Sequence, residues 1–514
     1  MRGGRGSSRG RSGGGASVRP GLTLAVVAVV QFMVSLDLSV VNVGLPEIAG
    51  GLGFGAVGLT WVIHAYALTF GGLLLLGGKA ADVYGRKRVL LLGLGLFGVA
   101  SLLGGFAQAP WQLVAARAAQ GIGAAALTPA ALALLAQTFP GGKERVKAFG
   151  VWSATNAAGG ALGVLIGGLL TEYAGWRWVM FVNVPMAAAA LAVAWRGIAA
   201  DARDTARTAG RPDVLGAVLV TAGMTLLVFG VVRTDEHAWT SPTTLTTLAA
   251  AAALLAAFIQ VERTTTREPL LRLGLFTNRS VTGANAFNLL VGAAMAASFY
   301  FISLYVQRVL GNGPALTGLM FLPLALAVVA GSFLAVKLGL RYAPRTLLVT
   351  GGLLTAAGLG WFGLMSTDGT FAVDVLGPSI TTGLGFGLCL GPVVSTATSG
   401  VSPDEAGIAS ALLGSSRQIG ASLGLAALGT AAQQRTGDAL TPADLNDGYA
   451  LGLTLAAGLL LGAVLLALAI LPRPVRPTAP AAQTQDRELA RSAAVSARKA
   501  GDVVRPREVV DGDQ

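Results

Sequence analysis

Fourteen runs of mostly apolar residues follow one another along this chain, and their length constrains the fold more than any single motif. They lie at about 21–43, 60–78, 89–107, 111–137, 148–171, 178–195, 214–232, 242–261, 280–306, 315–336, 346–366, 373–396, 407–431 and 449–471. A bilayer core about 30 Å thick is crossed by roughly 20 helical residues at 1.5 Å each. Lipid offers backbone N–H and C=O groups no partner, so runs of this length must cross as helices. The chain reads as an all-α polytopic membrane protein with fourteen transmembrane helices. Composition agrees, with 53% hydrophobic and 12% charged residues against about 25% charged in an ordinary soluble domain. The 72 glycines suit helices that pack closely without a hydrophobic driving force.

A net charge of +12 is of the kind nucleic-acid binders carry, but the basic residues sit in short connections and in the tails, so no nucleic-acid partner is expected. With the N-terminus inside, 31 of the 37 Lys and Arg residues fall on the tail side and only Arg177, Arg233, Arg308 and Arg435 in the opposite loops. The positive-inside rule then places both termini in the cytoplasm and the protein in the cell membrane, with the bilayer as its medium. The Gly/Ser/Arg-rich start resembles the charged region of a signal peptide, but the apolar run after it is too long and has no clear cleavage site, so it is expected to stay as the first span. A single cysteine, Cys389, and two separated histidines, His64 and His237, leave no disulfide and no Cys- or His-based metal centre. No phosphate-binding GxxxxGK[ST] loop and no nucleophile–base constellation occurs. The chain is therefore not expected to be an enzyme, nor to need a cofactor.

A weak internal repeat divides the spans. "GGKAADVYGRKRVLLLGLGL" is matched 258 positions later by "AVKLGLRYAPRTLLVTGGLL", with Lys79 on Lys337, Tyr84 on Tyr342 and Lys87 on Arg345. Repeated halves mark secondary transporters, whose substrate path lies between them. The simplest parse is a six-helix half at 21–200, two additional helices at 201–270 and a second six-helix half at 271–471. Disordered tails at 1–20 and 472–514 flank them, the latter with a short amphipathic segment around Gln485–Lys499.

Four segments, in order and at matching topological positions, carry a family resemblance. They are "LDLSVVNVGLPEI" (Leu36–Ile48), "GGKAADVYGRKR" (Gly77–Arg88), "RAAQGIGAAALTPA" (Arg117–Ala130) and "GWRWVMFVNVP" (Gly175–Pro185). Together they resemble the major facilitator superfamily, and within it the fourteen-span drug:proton antiporters, over nearly all of residues 20–471. The resemblance implies a gating role for Gly78, Asp82, Gly85 and Arg86. The competing reading is that these charges only set topology, as is expected for Arg88. One departure stands out: Gly163 is followed by Val164, where the antiporters usually have Gly-Pro.

Asp37 is the one carboxylate read as lying well inside a span. Asp37 lies roughly 24 Å from the near end of its span and Arg117 roughly 9 Å from the far end of its own, which places both in the outer half at similar depth. Intramembrane charges usually face a cavity or a partner. A carboxylate that meets an arginine in one conformation and not in another can take up and release a proton. Asp37 is thus the expected proton-coupling site and Arg117 its modulator, with a static ion pair as the alternative.

Gly159, Gly163 and Gly167 form a stripe for close helix crossing, and the Trp176–Arg177–Trp178 group is expected to anchor at the interface. Candidate cavity residues are Asn42, His64, Tyr66, Gln120, Asn156, Asn285, Asn288, Tyr300, Phe301 and Arg417. Each has interhelical packing as its alternative, and Arg417 could instead contact an anionic part of the substrate. Spans 9 to 14 show no buried acid, which disfavours a divalent cation and favours a lipophilic neutral or monocationic drug, or an amphiphilic antibiotic. The expected activity is proton-coupled export by a monomer. Uptake or facilitated diffusion of a small metabolite remains open, as does a ligand-binding membrane sensor.

Overall fold

The computed structural model describes residues 20–139, 142–198, 213–233, 239–265, 270–271, 273–401, 405–437 and 441–472. The expected tails, the Gln485–Lys499 segment and His237 lie outside the described residues. Helices of span length appear in the expected order. The first six are α1 (Pro20–Leu52), α2 (Trp61–Tyr84), α3 (Arg86–Gly105), α4 (Pro110–Thr138), α5 (Gly142–Ala174) and α6 (Arg177–Gly197). Next come α7 (Val214–Val232) and α8 (Pro242–Thr264), then α9 (Arg279–Val309), α10 (Pro314–Gly339), α11 (Pro344–Phe362), α12 (Phe371–Ala397), α13 (Ala406–Thr436) and α14 (Pro442–Ile470). Twelve are apolar enough to cross a membrane by composition alone. The other two are α11 and α13, and α13 owes its polarity to Ser410, Ser415, Ser416, Arg417 and Gln418.

Short connections force neighbouring helices to run antiparallel. The face where α1 begins and α14 ends is called here the near face, and the opposite one the far face. Proline opens α4, α8, α10, α11 and α14, where the missing N–H has no intrahelical partner to lose. At the α2–α3 turn the whole connection is Gly85, at φ +95°, a conformation that side-chain-bearing residues resist.

Packing follows the small residues. Cβ atoms on Gly159, Gly163 and Gly167 of α5 would lie 2.6, 2.9 and 2.7 Å from the carbonyl oxygens of Phe32, Leu36 and Val40, so only glycine lets α5 cross α1 this closely. In the α2 segment the close approach belongs to Gly77, against the Ala125 backbone of α4, whereas Gly78 only touches Pro129. The additional pair α7–α8 packs through α7 on both halves. Thr221 fills the space over Gly72 of α2, and Val228 clusters with Leu68 of α2 and Ala426 of α13.

Two expectations shift. Helix α8 runs on to Thr264, taking Glu262 into the helix and burying it close to Asp213, the N-cap of α7. Asp37 is therefore not alone as a buried carboxylate, although this second pair sits at the near face rather than mid-membrane. Of the two tryptophans expected at the interface, Trp178 is half-exposed, but Trp176 is buried beneath the Arg177 guanidinium, 4.6 Å from its ring.

Candidate functional site

The site grows from α1. Asp37 lies seventeen positions from its start, roughly 26 Å along the helix, and is completely buried. Arg117, seven positions into α4 from the far face, is 2% exposed and places its Nη1 2.6 Å from Asp37 Oδ2. The same nitrogen donates to Gln120 Oε1 at 2.9 Å, and Arg117 Nε donates to the Val62 carbonyl at 3.0 Å. Below the guanidinium, 4.4 Å from its carbon, lies the Tyr66 ring.

The other carboxylate oxygen is equally engaged. Asn183 Nδ2 donates to Asp37 Oδ1 at 2.8 Å and Gln120 Nε2 at 3.2 Å. Ser101 braces both amides: its oxygen accepts from Gln120 at 2.8 Å and Asn183 at 3.2 Å, while its hydroxyl donates to the Met180 carbonyl. Every donor here suits an ionised carboxylate balanced by one guanidinium. A lone charge at the centre of a spanning helix costs about 2.5–3.5 kcal/mol on insertion scales. The pair with its amides removes that isolation, and all its members belong to the first six helices.

Sequence reasoning reached Asp37, Arg117, Tyr66 and Gln120 but not Asn183 or Ser101. Asn183 stood inside the quoted "GWRWVMFVNVP", one turn from the tryptophans that drew attention to it. Nothing marks Ser101 in sequence.

The remaining candidates lie elsewhere. Asn156 on α5 accepts from Gln31 and Ser35 of α1 at 2.7 and 2.5 Å, six and two residues on the near side of Asp37. Asn42 donates to the Leu38 carbonyl of its own helix. Asn285 accepts from Ser416, and Asn288 donates to the Leu413 carbonyl, so both tie α9 to α13. His64 is fully buried edge-on to Trp61, and neither ring nitrogen has a hydrogen-bond partner among the described residues. Arg417 lies eleven positions into α13, mid-helix, not near its start. In the α2–α3 segment Asp82 and Arg86 lie 3.7 Å apart, both partly exposed, and Arg86 donates to Gln137 of α4. Lys87 donates to the Trp195 and Ile198 carbonyls at the end of α6.

The two halves meet closely toward the far face. Pro46 has no N–H to give the Asn42 carbonyl four residues back. That oxygen instead accepts from the Ser303 hydroxyl of α9 at 3.0 Å, and Gln307 donates to the next carbonyl, Val43, at 3.1 Å. Glu172 of α5 accepts from the Ala315 N–H at the start of α10 at 2.8 Å. Beside this seam a cavity of about 250 Å³ is lined by Phe54, Thr60, Tyr300, Phe301, Arg308 and Tyr449, among others. Two of the candidate residues, Tyr300 and Phe301, thus share a cavity wall.

The comparisons with known proteins follow the same lines. A model of the Major Facilitator Superfamily matches residues 27–425. The chain is 39% identical over 449 residues to the cephamycin export protein of Amycolatopsis lactamdurans, covering 87% of this chain and 91% of that one. It is 41% identical to the puromycin resistance protein of Streptomyces alboniger, covering 86% and 89%. It is 34% identical to the tetracenomycin C resistance and export protein of Streptomyces glaucescens, covering 82% and 77%. Among solved structures the nucleoside transporter NupG superposes with a TM-score of 0.63 at 13% identity, over 88% of this chain and all of that one, a likeness of fold alone. With its helix order, its buried α1–α4 ion pair and these matches, the chain belongs to the major facilitator superfamily of membrane transporters.

Proposed function

We propose that this transporter exports lipophilic or amphiphilic antibiotic-like compounds across the cell membrane in exchange for protons. It works as a monomer with the near face and both termini in the cytoplasm. The observation that carries this reading is Asp37, a fully buried carboxylate midway along α1 whose charge is balanced by a single guanidinium, that of Arg117. Relatives named for antibiotic export and resistance support the substrate class.

In the conformation described, Asp37 is sealed and fully hydrogen-bonded, so no proton can enter. When the halves rock apart at the far face, α1 moves against α4 and Arg117 loses its grip. The carboxyl then takes a proton, while Arg117 keeps Gln120 and the Val62 carbonyl as partners. Return of Arg117 displaces the proton toward the near side. The α2–α3 segment acts at the near face, where Asp82 holds Arg86, Arg86 reaches Gln137 of α4 and Lys87 reaches carbonyls at the end of α6.

The test uses purified protein in liposomes containing a pH-sensitive dye, with an imposed proton gradient and a panel of lipophilic drugs and antibiotics. Compound-triggered proton flux in the wild type that disappears in Asp37→Asn supports antiport through Asp37. Compound flux at the wild-type rate in Asp37→Asn, under the same gradient, refutes it.

A further inference from the structure

One cation in the middle of the second half has nothing to bind. Arg417 makes no hydrogen bond, ion pair or aromatic contact with any described residue, and its side chain is partly accessible. Its direction follows from its neighbours on α13. Three residues before it, Gly414 meets Leu74 of α2, and three residues after it, Gly420 meets the Leu289 backbone of α9. At roughly 100° per residue these two positions lie about 60° to either side of Arg417. Its side chain therefore points into the wedge between α2 of the first half and α9 of the second, the boundary along which the halves move.

No acid serves that wedge. Among the described residues of α9 to α14 and their connections, Asp368, Asp374, Asp444 and Asp447 sit at the far ends and Glu405 at a near end. In the first half Asp37 is committed to Arg117. About eight residues further along α13, some 12 Å toward the far face, begins the 250 Å³ cavity whose wall carries a second guanidinium, Arg308, and no carboxylate.

Resting on the export reading, we propose that the substrate is an amphiphile with an anionic group, such as a carboxylate or sulfonate. Arg417 holds that group mid-membrane, and Arg308 receives it on the far side. A charge consequence follows. Bringing one proton in and sending one monoanion out both move positive charge inward, so an inside-negative voltage drives the two steps together.

Two dyes with one aromatic body separate the possibilities: 1-anilinonaphthalene-8-sulfonate and its uncharged counterpart N-phenyl-1-naphthylamine. Binding is titrated by fluorescence to wild type, Arg417→Gln and Arg417→Lys in vesicles of phosphatidylcholine alone, then with an anionic lipid added. Losing a charge-assisted contact should weaken sulfonate binding about tenfold or more in Arg417→Gln. Arg417→Lys should recover part of it, and the neutral dye should bind all three alike, which also reports a folded protein. Equal sulfonate binding by wild type and Arg417→Gln overturns the proposal. So does equal loss of both dyes in both variants, or no binding of the sulfonate to wild type. A sulfonate difference that vanishes once anionic lipid is present assigns the site to a lipid headgroup and overturns it too. Proton-coupled flux by wild type, measured separately with anionic and uncharged compounds, distinguishes the cases: if uncharged compounds are exported while Arg417→Gln binds the sulfonate like wild type, only the anion assignment fails, and if no compound of either kind is exported, the export reading fails.

Discussion

Arg117→Gln, Asp37→Asn and the double variant form a cycle whose outcome the geometry fixes. Arg117→Gln removes the 2.6 Å contact to Asp37, the bonds to Gln120 and Val62, and the cation over the Tyr66 ring. It leaves a fully buried carboxylate with two neutral amides. Removing one partner of a buried pair costs about 3–5 kcal/mol. Asp37→Asn is milder, because Arg117 keeps Gln120, the Val62 carbonyl and the Tyr66 ring. One lost charged hydrogen bond puts it at about 1.5–3 kcal/mol. The double variant contains no buried charge, so it should lie near the milder single variant rather than at the sum. The expected coupling is then the cost of the harsher single variant, about 3–5 kcal/mol, at or above the upper end of what contacting residues show. Equilibrium unfolding in detergent at one fixed pH measures all four proteins. Additivity within about 0.5 kcal/mol would mean that each side chain is held by other groups, and the reading of a mutually dependent pair would be wrong.

Gly163→Val should lower stability by about 1–3 kcal/mol, as overpacking does, because its Cβ would lie 2.9 Å from the Leu36 carbonyl oxygen; thermal unfolding in detergent reads this. Asp82→Asn should change stability by less than about 1 kcal/mol, since the Arg86 contact is solvent-exposed. It should nevertheless slow transport severalfold if the turn is a gate, and unchanged transport would leave the charges with topology alone. Ser303→Ala should raise the accessibility of far-face positions to a membrane-impermeant thiol reagent, for instance at a cysteine introduced for Thr436. Labelling at the wild-type rate would show that the Ser303–Asn42 contact does not hold the seam.

The helices were legible because lipid imposes a length and a polarity that a linear sequence displays directly. Their ends were less so: α1 continues to Leu52 and α14 begins at Pro442, since polar turns lengthen a helix without adding hydropathy. The ion pair was legible because charges inside apolar runs are conspicuous, and counting residues from each end put them at one depth. Ser101 was not, because a serine in a span is unremarkable until the chain folds and brings Gln120 and Asn183 onto it. Asn285 and Asn288 show the converse. Amides in a span look like cavity groups, yet their bonds go to α13, and only the register of two helices decides that.

The same helix carries both the buried charge and the far-face seam between the halves, and the link between them is a proline. Asp37 and Asn42 are five residues apart on α1, roughly 7.5 Å of rigid helix. Pro46 leaves the Asn42 carbonyl without its helical partner, and Ser303 of the second half takes that place. Opening the far face must break this bond and the neighbouring one from Gln307, and both pull on α1. Asp37, meanwhile, is bonded to side chains from α4 and α6 and through them to α3, all in the first half. Helix α1 is therefore held at one level by its own half and at the next by the other half. A rocking motion of one half against the other loads the segment between them. Under the proposed exchange of protons for substrate, this arrangement would tie the Asp37–Arg117 pair to the far seam, and so proton uptake to the opening of one face.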